Sequence, residues 1–191
     1  VRPARLADLP RLVELVAGAG ASLTSLPPDA GRLAERIGAS ESSFAGRSAK
    51  ADETYLFVLE DLPTGRLAGT CGIDAAVGLR QAWYSYRVGL AVHASQELGV
   101  FTQTPTLFLS NDHTGQSELC SLLLHPEFRQ GGLGALLSKS RFLFMAEHRE
   151  RFAAKVIAEL RGVMDASGHS PFWEGLGRHF FSMDFSRADY L

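Results

Sequence analysis

The feature that most constrains the fold is an apolar run of strand length that leads through a glycine-rich turn into a long helix. Residues 119–124 have the composition of a buried strand, and residues 133–152 have the apolar spacing of an amphipathic helix. The first turn of a helix leaves backbone N–H groups without partners and carries a partial positive charge, so it attracts phosphate groups. The segment therefore predicts a phosphate-binding turn with Arg129 as a cation at its mouth.

Eight residues of this segment are expected to contact a diphosphate-containing ligand, through free backbone groups, through glycine's small size or through charge. They are Leu122, Leu123, Leu124, Arg129, Gln130, Gly131, Gly132 and Gly134. The three leucines are equally compatible with an ordinary core, and the glycines with a simple strand-to-helix turn. The spacing is not Gly-x-Gly-x-x-Gly, and no Lys-Ser or Lys-Thr pair follows, which argues against dinucleotide and P-loop sites.

The rest of the pattern predicts one α/β domain with a mixed sheet whose later strands are joined by crossover helices. A helix capped by Asp8 with Pro10 in its first turn, a helix over 30–44 and a helix opened by Ser170 and Pro171 join the one at 133–152. The predicted strands cover residues 1–3, 55–59, 66–73, 83–92, 106–110, 119–124, 155–160 and 180–185, and residues 23–28 are predicted to form a loop.

Composition restricts the class of partner. The 191 residues, 46% of them hydrophobic, suffice for one core, and 19 basic against 21 acidic side chains give a net charge of -2. This balance argues against nucleic acid and anionic membranes as partners and favours a small molecule. Two cysteines are too few for a disulfide framework, and no secretory or membrane-spanning segment is evident, so we expect a cytoplasmic protein.

Longer segments carry a family resemblance that reaches across nearly the whole chain. They occupy residues 23–27, 83–89, 105–115, 117–120, 137–142, 158–162, 170–173 and 181–191. Together they resemble the arginine N-succinyltransferase family, and the Arg-x-x-Gly-x-Gly pattern of residues 129–134 is similar to the acyl-CoA signature of the GNAT superfamily, to which that family belongs.

The resemblance implies a GNAT-like fold over residues 1–191: a mixed, mostly antiparallel sheet flanked by helices, with two splayed central strands. It implies transfer of a succinyl group from succinyl-CoA to the α-amino group of L-arginine, or of ornithine in some relatives, as the first step of arginine breakdown in bacteria. It also implies that the proton-donor histidine lies beyond Leu191, so we expect this chain to be shortened at its C-terminus, and that assembly with a similar subunit is possible.

Three charged residues are candidates for contact with the reacting groups. Glu118 and Glu159 lie in or beside the two strands expected to splay, where either can hold a guanidinium or relay a proton, or remain a solvated carboxylate. Arg87 can pair with the succinyl carboxylate or form a structural ion pair. The histidines lack metal-site spacing, so no metal is expected, and Cys120 has no neighbouring base that would make it a nucleophile.

Two other functions remain open at this level. One is an N-acyltransferase that uses acetyl-CoA on a different amine. The other is a non-catalytic module that binds acyl-CoA or another subunit.

Overall fold

The polypeptide forms a five-stranded mixed sheet between two helical layers, together with a separate two-stranded hairpin. The computed structural model describes residues 1–18, 25–160, 162–165 and 167–190. The strands are β1 (Arg2–Pro3), β2 (Thr54–Asp61), β3 (Arg66–Asp74), β4 (Ser85–Ser95), β5 (Val100–Ser110), β6 (Ser117–Leu124) and β7 (Val156–Ile157). The helices are α1 (Leu9–Ala17), α2 (Ala30–Phe44), α3 (Leu133–Glu147), α4 (Arg178–Phe181) and α5 (Phe185–Tyr190).

The strand order in the main sheet is β1-β2-β3-β6-β7. The first four strands are antiparallel to their neighbours, and β6 and β7 are parallel. The predicted mixed, mostly antiparallel sheet flanked by helices is confirmed. The parallel pair lies at one end of the sheet formed by this chain.

Each face of the sheet buries its own apolar cluster. On one face, α1 and α2 place Leu12 and Ile37 against Leu56 of β2. On the other face, α3 places Leu137 and Phe144 against the opposite side of β2 and β3. Phe144 packs edge-on against Phe57 with ring centroids 5.2 Å apart. Because α3 is fixed by this packing, its first turn is held rigidly at the end of β6.

The strands β4 and β5 form a long hairpin of their own. Each has 11 residues, and the register runs from Ser85 opposite Ser110 to Ser95 opposite Val100. The strand predicted for 83–92 therefore exists but begins at Ser85 and ends at Ser95, and the strand predicted for 106–110 begins earlier, at Val100. Pro105 is accommodated within β5 because each strand of a two-stranded sheet has a free edge. Apolar side chains such as Val88 and Phe101 are 75% and 67% exposed.

Two elements, α3 and β7, are shorter than predicted. The helix predicted for 133–152 ends at Glu147, because His148 leaves the helical region and a 3-10 turn follows over Arg149–Arg151. In this turn Arg151 reaches back to the Tyr55 hydroxyl, 2.9 Å away, which fixes the change of direction. The strand predicted for 155–160 is confined to β7, since only two of its residues pair with β6.

The strand predicted for 180–185 is wrong, because residues 180 and 181 end α4, residues 182–184 connect the two helices and Phe185 begins α5. A π-helical turn over Trp173–Gly177 leads directly into α4, and the Trp173 ring stacks on Phe181 at 5.8 Å between centroids. The Trp173 indole N–H also donates to the Met183 carbonyl at 2.8 Å. Trp173 thus holds Phe181 and Met183 on the helical path of the chain, although Phe180 and Phe181 stay 75% and 62% exposed.

The other local predictions have mixed outcomes. Ser170 caps its helix, since its hydroxyl accepts the N–H of Trp173 at 3.3 Å. Asp8 precedes α1 but its side chain makes no capping bond; it accepts the Arg5 amide and two arginine side chains instead. The loop predicted for 23–28 lies partly outside the described residues. Within the described ranges, no helix combines the length and apolar composition needed to cross a bilayer.

Candidate functional site

The parallel strands β6 and β7 meet over only a short distance and then separate. Their register joins Ser117 with Val156 and Glu118 with Ile157. Beyond Glu118, β6 continues to Leu124 with β3 on one side and no described strand on the other. That side of β6 therefore offers backbone groups to a ligand that lies along it, in the manner of an added strand.

A β-bulge redirects β6 at this point. Gly72 pairs with Cys120 and Thr70 with Leu123, so two residues of β6 face one residue of β3. Ser121 takes up the extra length with φ of 54°, and the Thr70 hydroxyl donates to its carbonyl at 2.8 Å. A bulge bends its strand and re-aims the following residues, and such features are common next to functional sites. Here the bulge separates the paired part of β6 from its free end.

The turn between β6 and α3 exposes unpaired backbone amides. Gly131 and Gly132 have φ of 61° and 77°, which any side chain would disfavour, and Gly132 is the residue that precedes α3. In the described part of the chain, the amides of Gly131, Gly132, Gly134 and Ala135 donate to no protein acceptor. No atom lies within 4 Å of the position that a Cβ would take on Gly131 or Gly132. The turn is open to an anion and is not sealed by protein groups.

These features border one cavity of about 580 Å³. The residues that line it are Leu122, Leu123, Leu124, Arg129, Gln130, Gly131, Gly132, Leu133 and Gly134. All eight residues singled out from the sequence are thus brought together, with Leu133 in addition. Their contact with a diphosphate stays a prediction. Backbone amides, the positive end of a helix and a free strand edge converge here, which is the chemistry that a long ligand with a diphosphate at one end requires.

Arg129 stands at the mouth of the cavity with most of its hydrogen-bonding capacity unused. Its Nε donates to the Leu124 carbonyl at 3.1 Å, which orients the guanidinium toward the end of β6. It forms no ion pair with any described residue, whereas nearby Arg66 pairs with Glu127 at 2.8 Å. Arg129 therefore contributes a free, oriented positive charge next to the amides of the turn.

A buried polar cluster lies further down β6, on the face covered by α2. Asp74 and Glu118 are paired directly across β3 and β6, and Arg36 of α2 forms an ion pair with Asp74 at 2.8 Å. Glu118 is 7% exposed. Burial first, and then repulsion from Asp74 and Glu159, raises its pKa to about 7 against the attraction of Arg36. A carboxyl group in this state can gain and lose a proton near neutral pH.

The other two candidates occupy more open positions. Glu159 is exposed just after β7, close enough to Glu118 to influence its charge. Arg87 is exposed on β4, opposite Phe108 in the hairpin register. It forms no ion pair within the described ranges, so the structural ion pair considered for it is not observed. The roles of these two residues toward a ligand stay predictions.

The structure argues against the thiol as a nucleophile. Burial, with the neighbouring Asp74 carboxylate, raises the pKa of Cys120 to about 12, so the thiol is protonated at neutral pH. Arg36 donates to its sulfur at 3.4 Å. Among the residues that the structure describes, no group of three or more potential metal-binding side chains occurs.

The sequence reasoning missed three polar residues that lie beside β6. Asp74 is the last residue of β3, one residue beyond the strand predicted for 66–73, and Arg36 lies beside Ile37 in α2. Arg141 falls one turn after Leu137, on the buried face of α3, and is only 4% exposed. An arginine at a core position of an amphipathic helix is an unusual signal that the sequence contained.

The chain is similar to known proteins over its whole length. A family model described as arginine N-succinyltransferase beta subunit matches residues 1–191. The arginine N-succinyltransferases of Salmonella paratyphi B and Salmonella typhimurium are each 56% identical over 191 residues, which is 100% of this chain and 56% of the relative. The structure of arginine/ornithine succinyltransferase subunit AI from Pseudomonas aeruginosa matches with a TM-score of 0.92 and 43% identity, over 99% of this chain and 58% of that one. The chain thus spans little more than half the length of these relatives. It belongs to the arginine N-succinyltransferase family.

Proposed function

We propose that this chain supplies the acyl-CoA site of an enzyme that transfers a succinyl group from succinyl-CoA to the α-amino group of L-arginine. The observation that carries the proposal is the open cavity in which the unpaired amides before α3, Arg129 and the free edge of β6 converge. The names of the relatives support the acyl group and the acceptor.

The cavity suits CoA in one orientation. The diphosphate lies against the amides of Gly131 and Gly132 and the Arg129 guanidinium, because these are the groups that stabilise its charge. The arm of CoA then runs along the free edge of β6 past Leu124 and Leu122. The thioester lies near the bulge at Ser121, because the arm follows the strand away from the turn.

Glu118 is suited to accept a proton from the substrate amine. The attacking amine must be neutral, although an α-amino group with a pKa of about 8 is mostly protonated at neutral pH. As the C–N bond forms and the C–S bond breaks, the nitrogen loses one further proton and the CoA thiolate gains one. Glu118 has a pKa of about 7 and lies on β6 just before the bulge, so it can accept the proton at the position where the amine attacks.

The surrounding charges favour a cationic acceptor. The carboxyl groups of Asp74 and Glu159 both lie close enough to Glu118 to raise its pKa, and Arg36 is the cation that lowers it. Glu159 is exposed and can hold the distal guanidinium of arginine, which is more weakly hydrated than an ammonium group and pairs well with a carboxylate.

The test is a comparison of acyl donors and acceptors with the complete gene product. Calorimetry should show binding of succinyl-CoA, and kinetic assays should give a higher kcat/KM for succinyl-CoA with arginine than for acetyl-CoA with arginine. Faster transfer from acetyl-CoA would indicate a different N-acyltransferase. Binding of CoA without transfer to any amine would indicate a non-catalytic module.

We also infer that the protein assembles with a second polypeptide of the same family through the hairpin of β4 and β5. Val88, Phe101 and Leu109 on this hairpin are 75%, 67% and 60% exposed, and exposed apolar patches mark protein contact surfaces. The Pseudomonas relative is named as a subunit. Val88→Lys should lower the molar mass measured by light scattering; an unchanged mass would count against this surface.

A further inference from the structure

Arg141 is a deeply buried arginine with no carboxylate partner among the described residues. It is 4% exposed. Its Nε donates to the Ser138 carbonyl at 3.3 Å, its Nη2 to the Ser138 hydroxyl at 3.1 Å and its Nη1 to the Cys120 carbonyl at 3.4 Å. Each terminal nitrogen keeps one further N–H for which the described part of the chain provides no acceptor.

The positive charge of Arg141 is not balanced by its neighbours. Burial raises the pKa of both nearby thiols, Cys71 and Cys120, so neither carries a negative charge at neutral pH. The same burial lowers the pKa of Arg141 itself, which reflects the cost of holding a cation out of water. Buried arginines are generally paired with an anion, because an isolated buried charge is expensive. Arg141 therefore keeps an uncompensated positive charge and two N–H groups that an anion can use.

Arg141 lies beside β6, the strand that has the free edge. Gly134, at the start of α3, lies against the Leu124 side chain, and Arg141 reaches Cys120, so α3 runs back along β6. Ser140 contacts Cys71 of β3, whereas Arg141 turns to β6, the strand next to the opening. From Leu133 to Arg141 the helix rises by about 12 Å. Arg141 thus lies well below the turn, at the level of the bulge.

We propose that Arg141 binds the terminal carboxylate of the acyl group and so selects a dicarboxylic acyl-CoA over an uncharged one. This inference rests on the proposed function, because it requires that the CoA arm follows β6 from the turn to the bulge. A buried guanidinium binds a carboxylate more strongly than an exposed one, since water does not compete for it. Arg141 is for this reason a better specificity residue than the exposed Arg87.

The experiment compares two acyl-CoAs of the same chain length in the complete gene product. Dissociation constants for succinyl-CoA and butyryl-CoA are measured by calorimetry for the wild type, Arg141→Gln and Arg87→Gln. Arg141→Gln should weaken succinyl-CoA binding about 10- to 100-fold and leave butyryl-CoA binding nearly unchanged, because only succinyl-CoA carries the second carboxylate. Arg87→Gln should preserve the preference for succinyl-CoA.

Each alternative result is decisive. An equal loss for both acyl-CoAs means that Arg141 only supports the strand at Cys120, and an unchanged preference means that it does not meet the acyl group; both overturn the proposal. If only Arg87→Gln loses the preference for succinyl-CoA, Arg87 and not Arg141 binds the carboxylate, and the proposal is overturned. If Arg141→Gln does not fold, Arg141→Lys replaces it, since lysine keeps the charge but loses the planar guanidinium, and it should weaken succinyl-CoA binding more than butyryl-CoA binding. A wild type that prefers succinyl-CoA over butyryl-CoA by less than about 10-fold also overturns the proposal. A wild type that binds no CoA at all overturns the proposed function, and this assignment with it.

Discussion

Glu118 of β6 and Asp74 of β3 lie directly opposite each other, and it is Asp74 that forms the ion pair with Arg36. Asp74 accepts hydrogen bonds from Arg36 at 2.8 Å and from the Thr54 hydroxyl at 2.5 Å. Glu118 is left buried beside this satisfied carboxylate, so its own ionisation is opposed by both burial and repulsion. The two carboxyl groups thus differ in their surroundings: Asp74 is ion-paired and hydrogen-bonded, whereas Glu118 is buried with a raised pKa and is suited to accept a proton.

Glu118→Gln should reduce kcat/KM for arginine succinylation by about 10²- to 10⁴-fold, the usual contribution of a general base. In the wild type, kcat/KM should rise with pH through about 7, because Glu118 must be ionised to accept a proton. In the variant this rise should disappear and only the ionisation of the substrate amine should remain. Initial rates over a range of pH provide the measurement. A wild-type-like pH profile in the variant would exclude Glu118 as the base, and Glu147→Gln, at an exposed position at the end of α3, is the matched control.

The same carboxyl group should make stability depend on pH. The pKa of Glu118 rises from 4.5 to about 7 on folding, so its contribution to stability is complete below about 4.5 and is lost as the pH rises through 7. Glu118→Gln removes this loss. As the pH rises from about 5 to about 8, the wild type should lose about 1–3 kcal/mol of unfolding free energy relative to the variant. Urea unfolding at both pH values measures this difference, and a constant difference would contradict the raised pKa.

The open turn before α3 could be predicted from the sequence because every requirement for it is local, while its contact with a phosphate stays a prediction. A strand-length apolar run, adjacent glycines and the start of a helix determine where the free amides are. The helix over 30–44 and the first hairpin were predictable for the same reason, since their apolar spacing and turn residues are contiguous. The cavity at the end of β6 follows directly from these elements.

The polar cluster was not predicted, and the strand predicted for 180–185 was wrong, because neither is determined by local sequence. Arg36, Asp74 and Glu118 come from three elements, and only the register of β3 with β6 brings two of them together. The aromatic residues 180–185 resemble a strand, but the Trp173 ring, on the π-helical turn that leads into α4, stacks on Phe181, and its indole N–H donates to the Met183 carbonyl. Contacts between distant residues thus decided what local patterns left open.

Arg129→Ala should weaken CoA binding about tenfold, because it removes a free cation beside the amides of the turn. The loss should shrink as salt is added, since the guanidinium is exposed and its attraction is screened. Arg80→Ala is the control: it removes another exposed arginine, paired with Asp52 at 2.6 Å and outside the cavity. Calorimetric titration with CoA measures both variants. Equal affinities in the two variants would remove Arg129 from the site.

Asp8→Asn should lower the unfolding free energy by about 1–2 kcal/mol, because it removes the buried negative charge that pairs with Arg2 and Arg11. The loss is limited because both arginines are partly solvated. Hydrogen bonding from Arg2 lowers the Asp8 pKa from 3.8 to about 2. The stability that it contributes is present above pH 3.8 and is lost as the pH falls toward 2. The wild type and the variant should therefore converge in thermal stability on acidification. A difference that persists at low pH would show that packing, and not charge, is responsible.

Gly131→Ala should affect stability and ligand binding together. At φ of 61° a side chain costs about 1–2 kcal/mol, and the new methyl group projects into the space at the helix start where the diphosphate is expected. Gly46 is a close control, since its φ is 67° and no atom lies within 4 Å of its Cβ position, but it does not line the cavity. Gly46→Ala should therefore lose a similar unfolding free energy and bind CoA as the wild type does, whereas Gly131→Ala should bind CoA at least about tenfold more weakly. Urea unfolding and CoA titration separate the two effects. If both alanine variants bind CoA equally well, the amides before α3 do not hold the diphosphate, and the cavity must serve another ligand.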